Sequence, residues 1–268
     1  MKSGTTKSGM TAGKTMTAPT MPDDGFIHMI DIAPGVHAGF TSRGNTTSSP
    51  YSGINMCHYT GDGQAHVADC RDRFSGITGI PCERIIIPRQ THSSDCAVID
   101  RIPVEEEVIN GVDALVTTLT GVIIGVSTAD CVPVILADAD NGVIGAAHAG
   151  WRGALAGVTD NAVEAMLRCG ARIDNIKAAM GPCICPACFE VGEEVAENFP
   201  DRFIAHGFTK PHVDLPLYVK SRLEARGIAP SMIQMPPACT RCAPGIYFSA
   251  RALGINSGRI YTFISLDT

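Results

Sequence analysis

The segment covering residues 127–153 constrains the fold more than any other part of the chain. It contains two apolar runs, at residues 131–137 and 142–148, and the four residues between them are Asp, Ala, Asp and Asn. Apolar runs of this length on either side of turn-forming residues are typical of a β-hairpin. The sequence therefore predicts a hairpin of two apolar strands in the middle of the chain.

The register of this hairpin decides whether Cys131 and His148 are neighbours. If residues 138–141 form the loop, Cys131 lies directly opposite His148, and their Cβ atoms are roughly 4.5–5.5 Å apart. A thiolate and an imidazole at that separation could share one zinc ion. A turn of only two residues, at 141–142, would instead pair His148 with Ile135 and place Cys131 out of reach.

The rest of the chain shows more strand-like runs than helical periods. Because the strands come in clusters and do not alternate strictly with helices, we predict an α+β fold, a single domain with mixed sheets. Residues 1–22, rich in Thr, Ser, Gly and Lys, are expected to form a flexible tail before a domain at residues 23–268. Further strands are predicted at 36–41, 84–88, 96–100, 114–118, 122–128, 176–180, 246–248 and 260–264. Helices are predicted at 64–78, from Leu155 to Gly170, and from an Asp214 cap to Gly227.

Composition excludes several classes of protein. The formal net charge of −6 argues against a nucleic-acid binder or a protein of anionic membrane surfaces. No apolar run reaches the roughly 20 residues that a membrane span needs. The eleven cysteines are an odd number, and residues 1–25 contain no apolar secretory segment. We therefore expect reduced thiols and a cytoplasmic protein.

His92, in the segment Pro-Arg-Gln-Thr-His-Ser, is a third candidate metal ligand beside Cys131 and His148. Two histidines and one cysteine leave one zinc position open, as catalytic zinc sites do. A water in that position is acidified and can attack an electrophile. Asp130, next to Cys131, would orient a ligand or transfer a proton.

Arg152 follows the second strand of the hairpin at the predicted start of a helix. Unpaired backbone N–H groups and an arginine at this point suit an anion such as phosphate. The alternative is an arginine that caps a surface turn.

Two Cys-x-x-Cys pairs, Cys185/Cys188 and Cys239/Cys242, raise the possibility of a second, structural zinc. The fifty residues between the pairs exceed the roughly 15–20 of a zinc ribbon. We therefore favour a cysteine-rich loop near the active site and one metal ion per chain.

Several motifs, in order, closely resemble the YfiH-like family, also called laccase-domain proteins or multicopper polyphenol oxidases, and in newer usage zinc-dependent purine nucleoside phosphorylases. The resemblance covers nearly everything after the tail. The matching segments are residues 39–44 with Asn55 and residues 61–62, Gln90 to His92, residues 128–131, residues 148–153, residues 181–182 with 189–192, residues 239–240 and residues 248–251.

This resemblance implies a four-layer α/β/β/α architecture and a metal ion held by His92, Cys131 and His148. It implies phosphorolysis of adenosine, inosine, guanosine and methylthioadenosine, and hydrolytic deamination of adenosine. The expected partners are a purine nucleoside and phosphate, with no nucleic acid or membrane, for a monomer or weak homodimer. Substrate and phosphate contacts are expected from the motif residues Arg43, Asn55, Gln90, Arg152 and Arg251.

Three alternatives remain open from the sequence. Cys131 could be a thiolate nucleophile with His148 as its base, for amide or ester cleavage, including the editing of peptidoglycan precursors that the resemblance also implies. The metal could be purely structural in a non-enzymatic binding module. Copper could replace zinc in a single Cys/His₂ site. A conventional multicopper oxidase is excluded, because none of the eight histidines are two residues apart.

Overall fold

Two stacked β-sheets with helices on both outer sides make up the computed structural model, which describes residues 25–44 and 48–267. The tail predicted at residues 1–22 lies outside the described residues, as does the proposed domain boundary at residue 23. The described strands are β1 Ile27–Ile30, β2 Val36–Thr41, β3 Ile85–Ile86, β4 Cys96–Ile99, β5 Ala114–Thr117, β6 Ile123–Thr128, β7 Val132–Asp138, β8 Val143–Ala149, β9 Lys177–Met180, β10 Ile204–Ala205, β11 His212–Val213, β12 Ile233–Gln234 and β13 Ile260–Leu266. The described α-helices are α1 Gln64–Thr78, α2 Glu106–Ile109, α3 Trp151–Ala156, α4 Val158–Arg168, α5 Glu193–Ala196, α6 Leu215–Ala225 and α7 Ala250–Leu253.

Both large sheets are mixed, as predicted. The five-stranded sheet has the order β1-β2-β13-β6-β3, and only its β3/β6 pair is parallel. The six-stranded sheet has the order β12-β9-β7-β8-β5-β4, with parallel pairs at its two ends and antiparallel pairs between them. A separate two-stranded ribbon pairs β10 with β11.

Three apolar layers hold these elements together and confirm the four-layer α/β/β/α arrangement. The inner layer lies between the sheets and joins residues such as Val126 and Ile264 to Ile135 and Ala146. One outer layer packs α4 and α6 on the six-stranded sheet, and the other packs α1 on the five-stranded sheet. Burial of these apolar faces is the main force that stabilises the layers.

The structure differs from two of the predicted strands. The run at 84–88 keeps only the two residues of β3, because a 3₁₀ turn at Cys82–Arg84 occupies its start. The run at 246–248 is a turn in which Ile246 and Tyr247 both donate backbone hydrogen bonds to the carbonyl of Ala243. The Pro-Gly dipeptide at residues 244–245 favours that turn over a strand.

The helix predicted from Leu155 to Gly170 is two helices, α3 and α4. Gly157 separates them with φ +89°, a conformation that side-chain-bearing residues rarely adopt. The other two helices agree with prediction: α1 spans residues 64–78, and the Asp214 side chain caps α6 by accepting a hydrogen bond from Leu217 N.

The central hairpin exists, but neither register considered from the sequence is correct. Asp138 pairs with Val143, so the loop is residues 139–142 and Pro133 lies opposite His148. The loop begins one residue later than predicted because the buried Asp138 side chain is anchored inside the protein, where it accepts hydrogen bonds from Asn141 N and Arg172 N. Cys131 is therefore a diagonal neighbour of His148, two positions from the residue opposite it.

Candidate metal centre and adjoining cavity

Three side chains converge at one end of the hairpin. His92 lies in the loop after β3, Cys131 directly precedes β7, and His148 lies near the end of β8. One ligand atom from each lies within 4.8 Å of the other two. The Cys131 Sγ atom is 3.8 Å from His92 Nε2, and the two imidazole centroids are 4.8 Å apart. The structure thus brings together the three residues that the sequence suggested as metal ligands.

The diagonal placement of Cys131 still brings it to His148, because side chains alternate between the two faces of a strand. The observed register differs from the expected one by two positions along the partner strand, which keeps both side chains on the same face. Diagonal pairs are within reach of long side chains, so the imidazole covers the remaining distance.

Asp113, a fully buried residue just before β5, holds both histidines in place. Its carboxylate accepts hydrogen bonds from the backbone N–H groups of Thr91, His92 and Ser93 at 3.0, 3.1 and 2.8 Å. It also accepts one from His148 Nδ1 at 2.6 Å. With Nδ1 engaged, His148 is left with Nε2 as its ligand atom, which is the carboxylate–histidine arrangement common at metal sites.

Backbone strain is concentrated at the same place. Among the described residues, His92 and Asp130 are the only non-glycine residues with positive φ, at +62° and +94°. Such conformations cost about 1–3 kcal/mol each and persist where the surroundings enforce them. Asp113 enforces the first through its hydrogen bond from His92 N, and Thr240 and Arg251 hold the side chain of the second.

The electrostatics of the cluster favour a thiolate. Burial raises the pKa of the Cys131 thiol, but the charge of His148 and the hydrogen bonds from both histidines outweigh it and lower the pKa to about 6. Burial lowers the pKa of His148, but Cys131 and Asp113 together raise it to about 9. Burial also raises the pKa of Asp113, and the hydrogen bond and charge of His148 more than reverse that effect. Without a metal, these opposite pKa shifts favour a thiolate on Cys131 beside a protonated His148.

These three ligands fit a single metal ion. Zn–S and Zn–N bonds of ~2.3 and ~2.0–2.1 Å at a tetrahedral angle put sulfur and nitrogen about 3.6 Å apart. The observed Cys131–His92 separation of 3.8 Å is close to that value. One sulfur and two imidazole nitrogens suit zinc or copper, and three protein ligands leave a coordination position for a small molecule.

The cluster faces a cavity of about 370 Å³. This volume lies within the range of small-molecule sites, about 300–1,000 Å³. Its wall combines the three clustered residues with six polar side chains: Tyr59, Gln90, Ser127, Asp130, Arg251 and Arg259.

Three predicted site residues lie in this wall. The Gln90 amide donates to the Ser127 carbonyl at 2.9 Å and accepts from Ser127 N at 2.7 Å. Asp130 accepts hydrogen bonds from Thr240 Oγ1 at 2.6 Å and from Arg251 N at 2.7 Å. Arg251 is exposed, and its guanidinium donates to the carbonyl of Glu190.

Three other predicted site residues are placed elsewhere. Arg43 is 4% exposed and lies outside the cavity wall, where its guanidinium donates to the carbonyls of Pro244, Ser49 and Ser52. Asn55 is fully buried and bonds to Asp62 through its amide nitrogen. Arg152 is exposed, and its guanidinium lies 4.3 Å from the Trp151 ring, outside the described wall of the cavity.

Three residues of the site were not predicted from the sequence: Asp113, which contacts both histidines, and Tyr59 and Arg259, which lie in the cavity wall. The one available signal for Asp113 was a charged residue directly before the apolar run at 114–118. Its link to His92 and His148 depends on the pairing of β5 with β8, which the sequence did not reveal.

The fold and the cluster define a class: two-sheet α/β/β/α proteins with a Cys/His₂ group, able to hold a metal ion, at the end of a hairpin. The chain belongs to the family described as multi-copper polyphenol oxidoreductase laccase, whose match covers residues 37–267.

The chain is also similar to individual proteins over most of its length. "Adenosine deaminase RL5", from an unknown prokaryotic organism, is 44% identical over 245 residues, covering 86% of this chain and 94% of that protein. A purine nucleoside phosphorylase of Streptomyces coelicolor is 37% identical over 242 residues, covering 88% and 98%. The YfiH protein of Bacillus licheniformis superposes with a TM-score of 0.85 at 25% identity, covering 91% of this chain and 97% of that one.

The histidines and cysteines of the chain bear on the family description. Among the described residues, only two histidines belong to a possible metal-binding group, which is too few for a blue-copper site together with a trinuclear copper cluster. All eleven cysteines are free thiols.

Within residues 25–44 and 48–267, no helix has the length and apolar character to cross a membrane.

Proposed function

We propose that this protein is a zinc-dependent purine nucleoside phosphorylase that also deaminates adenosine. The observation that carries the proposal is the cluster of His92, Cys131 and His148 at the wall of a 370 Å³ cavity. Relatives named adenosine deaminase and purine nucleoside phosphorylase, which align over most of their length, support both activities.

His92, Cys131 and His148 would hold the zinc ion, and Asp113 would fix the orientation of both imidazoles. When bound, zinc supplies Lewis acidity at the cavity wall. In deamination a water oxygen bonds to C6 of adenine while the C6–amine bond breaks, giving inosine and ammonia. We assign to Asp130, which lies in the cavity wall, the transfer of the proton from the water to the departing amine.

In phosphorolysis a phosphate oxygen bonds to C1′ of the ribose, and the bond from C1′ to the base breaks. The base leaves with the electron pair and takes a proton, which gives the free purine and ribose 1-phosphate. We assign the neutralisation of phosphate to Arg251, which lies in the cavity wall, in preference to Arg152 and Arg43.

Product analysis separates the two reactions. The zinc-loaded protein is incubated with adenosine, with and without phosphate, and the products are resolved by chromatography. We expect inosine in both samples, and adenine with ribose 1-phosphate only when phosphate is present. Cys131→Ser should abolish both reactions. Cys82→Ser is the control and should leave both unchanged, because the Cys82 thiol is half-buried and donates a hydrogen bond to Asp72. No product from the zinc-loaded protein would contradict the proposal.

We further propose that the protein works in the cytoplasm, where its free thiols remain reduced. A monomer or weak homodimer is expected. Light scattering at several concentrations would measure this, and a stable higher oligomer would contradict it.

A further inference from the structure

We propose that Cys185, Cys188, Cys239 and Cys242 form a second metal site that binds a structural zinc ion through four thiolates. Their four Sγ atoms all lie within 4.8 Å of one another, and those of Cys188 and Cys242 are 3.5 Å apart. Four zinc thiolates at ~2.3 Å and tetrahedral angles lie about 3.8 Å apart, so the observed spacing needs little adjustment.

The fold answers the objection that fifty residues separate the two pairs. The backbones next to them run side by side, joined by a parallel bridge between Cys183 and Cys239. Cys183 N donates to the Ala238 carbonyl, and Thr240 N donates to the Cys183 carbonyl at 3.0 Å. The two Cys-x-x-Cys pairs are thus brought together by tertiary structure, and loop length has no bearing on whether they meet.

Each pair is folded so that its two sulfurs face the same point. Cys188 N donates to the Cys185 carbonyl at 2.9 Å, which closes the short 3₁₀ turn Pro186–Cys188. In the second pair, Cys239 lies at the bridge and residues 240–242 form a turn that ends at Cys242. Two tight turns that each present a pair of cysteines to a common centre are the usual construction of a Cys₄ zinc site.

Two hydrogen-bond donors point at sulfurs of this cluster, and its exposure is unlike that of packing cysteines. Cys185 N donates a hydrogen bond to Cys239 Sγ at 3.3 Å, and the guanidinium of Arg241 donates to Cys188 Sγ at 3.5 Å. Cysteines that merely fill space are buried in apolar contacts, whereas Cys242 is exposed and Cys185 and Cys239 are half-buried. Four thiolates and one zinc ion carry a net charge of −2, which Arg241 partly offsets.

A single ion fits this cluster better than two other occupants. One disulfide would use two sulfurs at about 2.05 Å and leave the other two thiols unexplained. An iron–sulfur cluster places several atoms between its thiolates and would hold the four sulfurs farther apart than a single ion does.

This second site also supports the first. Thr240, between Cys239 and Cys242, donates to Asp130 Oδ1 at 2.6 Å, and Ile184 N donates to the Asp130 carbonyl at 2.9 Å. Asp130 has a positive φ and directly precedes Cys131. A metal ion that locks the two cysteine pairs together therefore steadies the residue beside the metal ligand Cys131.

Metal counting on the full-length protein tests the proposal without reference to activity. The protein is purified under reducing conditions, its bound metal is counted by native mass spectrometry, and elemental analysis identifies the metal. We expect one zinc ion to remain bound in Cys131→Ser, whose four-cysteine cluster is intact. The wild type and the control Cys82→Ser should each hold one zinc more than that variant.

The double variant Cys188→Ser/Cys242→Ser should lose the metal that Cys131→Ser retains. Cobalt substitution gives a second readout, because thiolate-to-cobalt absorption at the four-cysteine site should persist in Cys131→Ser. A metal-free Cys131→Ser protein, iron in place of zinc, or a mass that reveals a disulfide between these cysteines would each overturn the proposal. Since the decisive measurement uses Cys131→Ser and the wild type, misfolding of the double variant would not affect the result.

Discussion

At the level of single residues, the buried carboxylate of Asp113 is important to the site although it is not itself one of the three candidate metal ligands. It touches both histidines, one through the backbone N–H of His92 and the other through Nδ1 of His148. The ligands themselves were predictable because Cys and His are the residue types that zinc prefers. Asp113 was not, because its role depends on which strands lie next to each other.

Replacing Asp113 by asparagine should weaken metal binding by roughly 10–100-fold. The amide cannot accept all the hydrogen bonds that the carboxylate now accepts, so both histidines lose their orientation. A buried ion pair with one partner removed also costs about 3–5 kcal/mol of folding stability. Competition with a coloured chelator measures the affinity, and thermal unfolding measures the stability.

Asp138→Asn is the matched control for Asp113→Asn. Asp138 is an equally buried carboxylate that also accepts backbone hydrogen bonds, but it lies at the loop end of the hairpin. We expect this variant to lose stability and keep its metal affinity. Equal metal affinity in the two variants would show that Asp113 has no special role at the metal centre.

Alkylation of metal-free protein should report the lowered pKa of Cys131. The thiolate is the reactive form, so the rate should rise as pH passes through about 6 and level off near neutrality. An ordinary cysteine, with a pKa near 8.5, would continue to gain reactivity above neutral pH. Peptide mass spectrometry after iodoacetamide treatment gives the rate at this residue.

His148→Gln should move the Cys131 inflection to higher pH, because it removes the positive charge that stabilises the thiolate. Zinc should protect the wild-type thiol near neutral pH, and the protection should fade at low pH as protons displace the metal from its ligands. An inflection near the value of an unperturbed thiol, about 8.5, in the wild type would contradict the ion pair between Cys131 and His148.

Among the secondary-structure elements, the central hairpin shows which features could be predicted from the sequence and which could not. Its strands, β7 and β8, were predictable from two long apolar runs, but their register was wrong by two positions. Cys131 and His148 are nevertheless neighbours, because a shift of two positions preserves the face on which each side chain lies. The register depends on Asp138, which accepts a hydrogen bond from Arg172 N. This is a tertiary contact, and no local sequence pattern indicates it.

Gly150, between β8 and α3, allows the close approach of the metal ligands. A Cβ at this position would lie 2.7 Å from His92 Cδ2 and 3.1 Å from Cys131 Sγ. Gly150→Ala should therefore displace both side chains and weaken zinc binding by about tenfold or more. Metal competition measures the loss of affinity.

Gly76→Ala provides the matched control for Gly150→Ala. Gly76 lies inside α1, and a Cβ added there would have no atom within 4 Å, so alanine should stabilise the helix by about 0.5–1 kcal/mol. Its zinc affinity should be unchanged. Wild-type affinity in Gly150→Ala would mean that the ligands do not need this close approach.

At the scale of the whole molecule, the four layers place loops from distant parts of the chain at one end of the hairpin. The cavity wall draws on residues near 59, 90, 130, 148 and 251, which span most of the described chain. The layered class was predictable from clustered strands and from the family resemblance. The exclusion of Arg43 and Arg152 from the wall was not, because their neighbours come from tertiary packing.

Restoring metal to the stripped protein shows whether both reactions depend on the metal ion. The protein is stripped with a chelator and zinc is titrated back. Conversion of adenosine to inosine is followed without phosphate, and its conversion to adenine is followed with phosphate present. We predict that both reactions are absent from the stripped wild type, return as zinc binds, and do not return in His148→Gln. Full activity in the metal-free protein would contradict a metal-dependent reaction and point instead to Cys131 as a nucleophile.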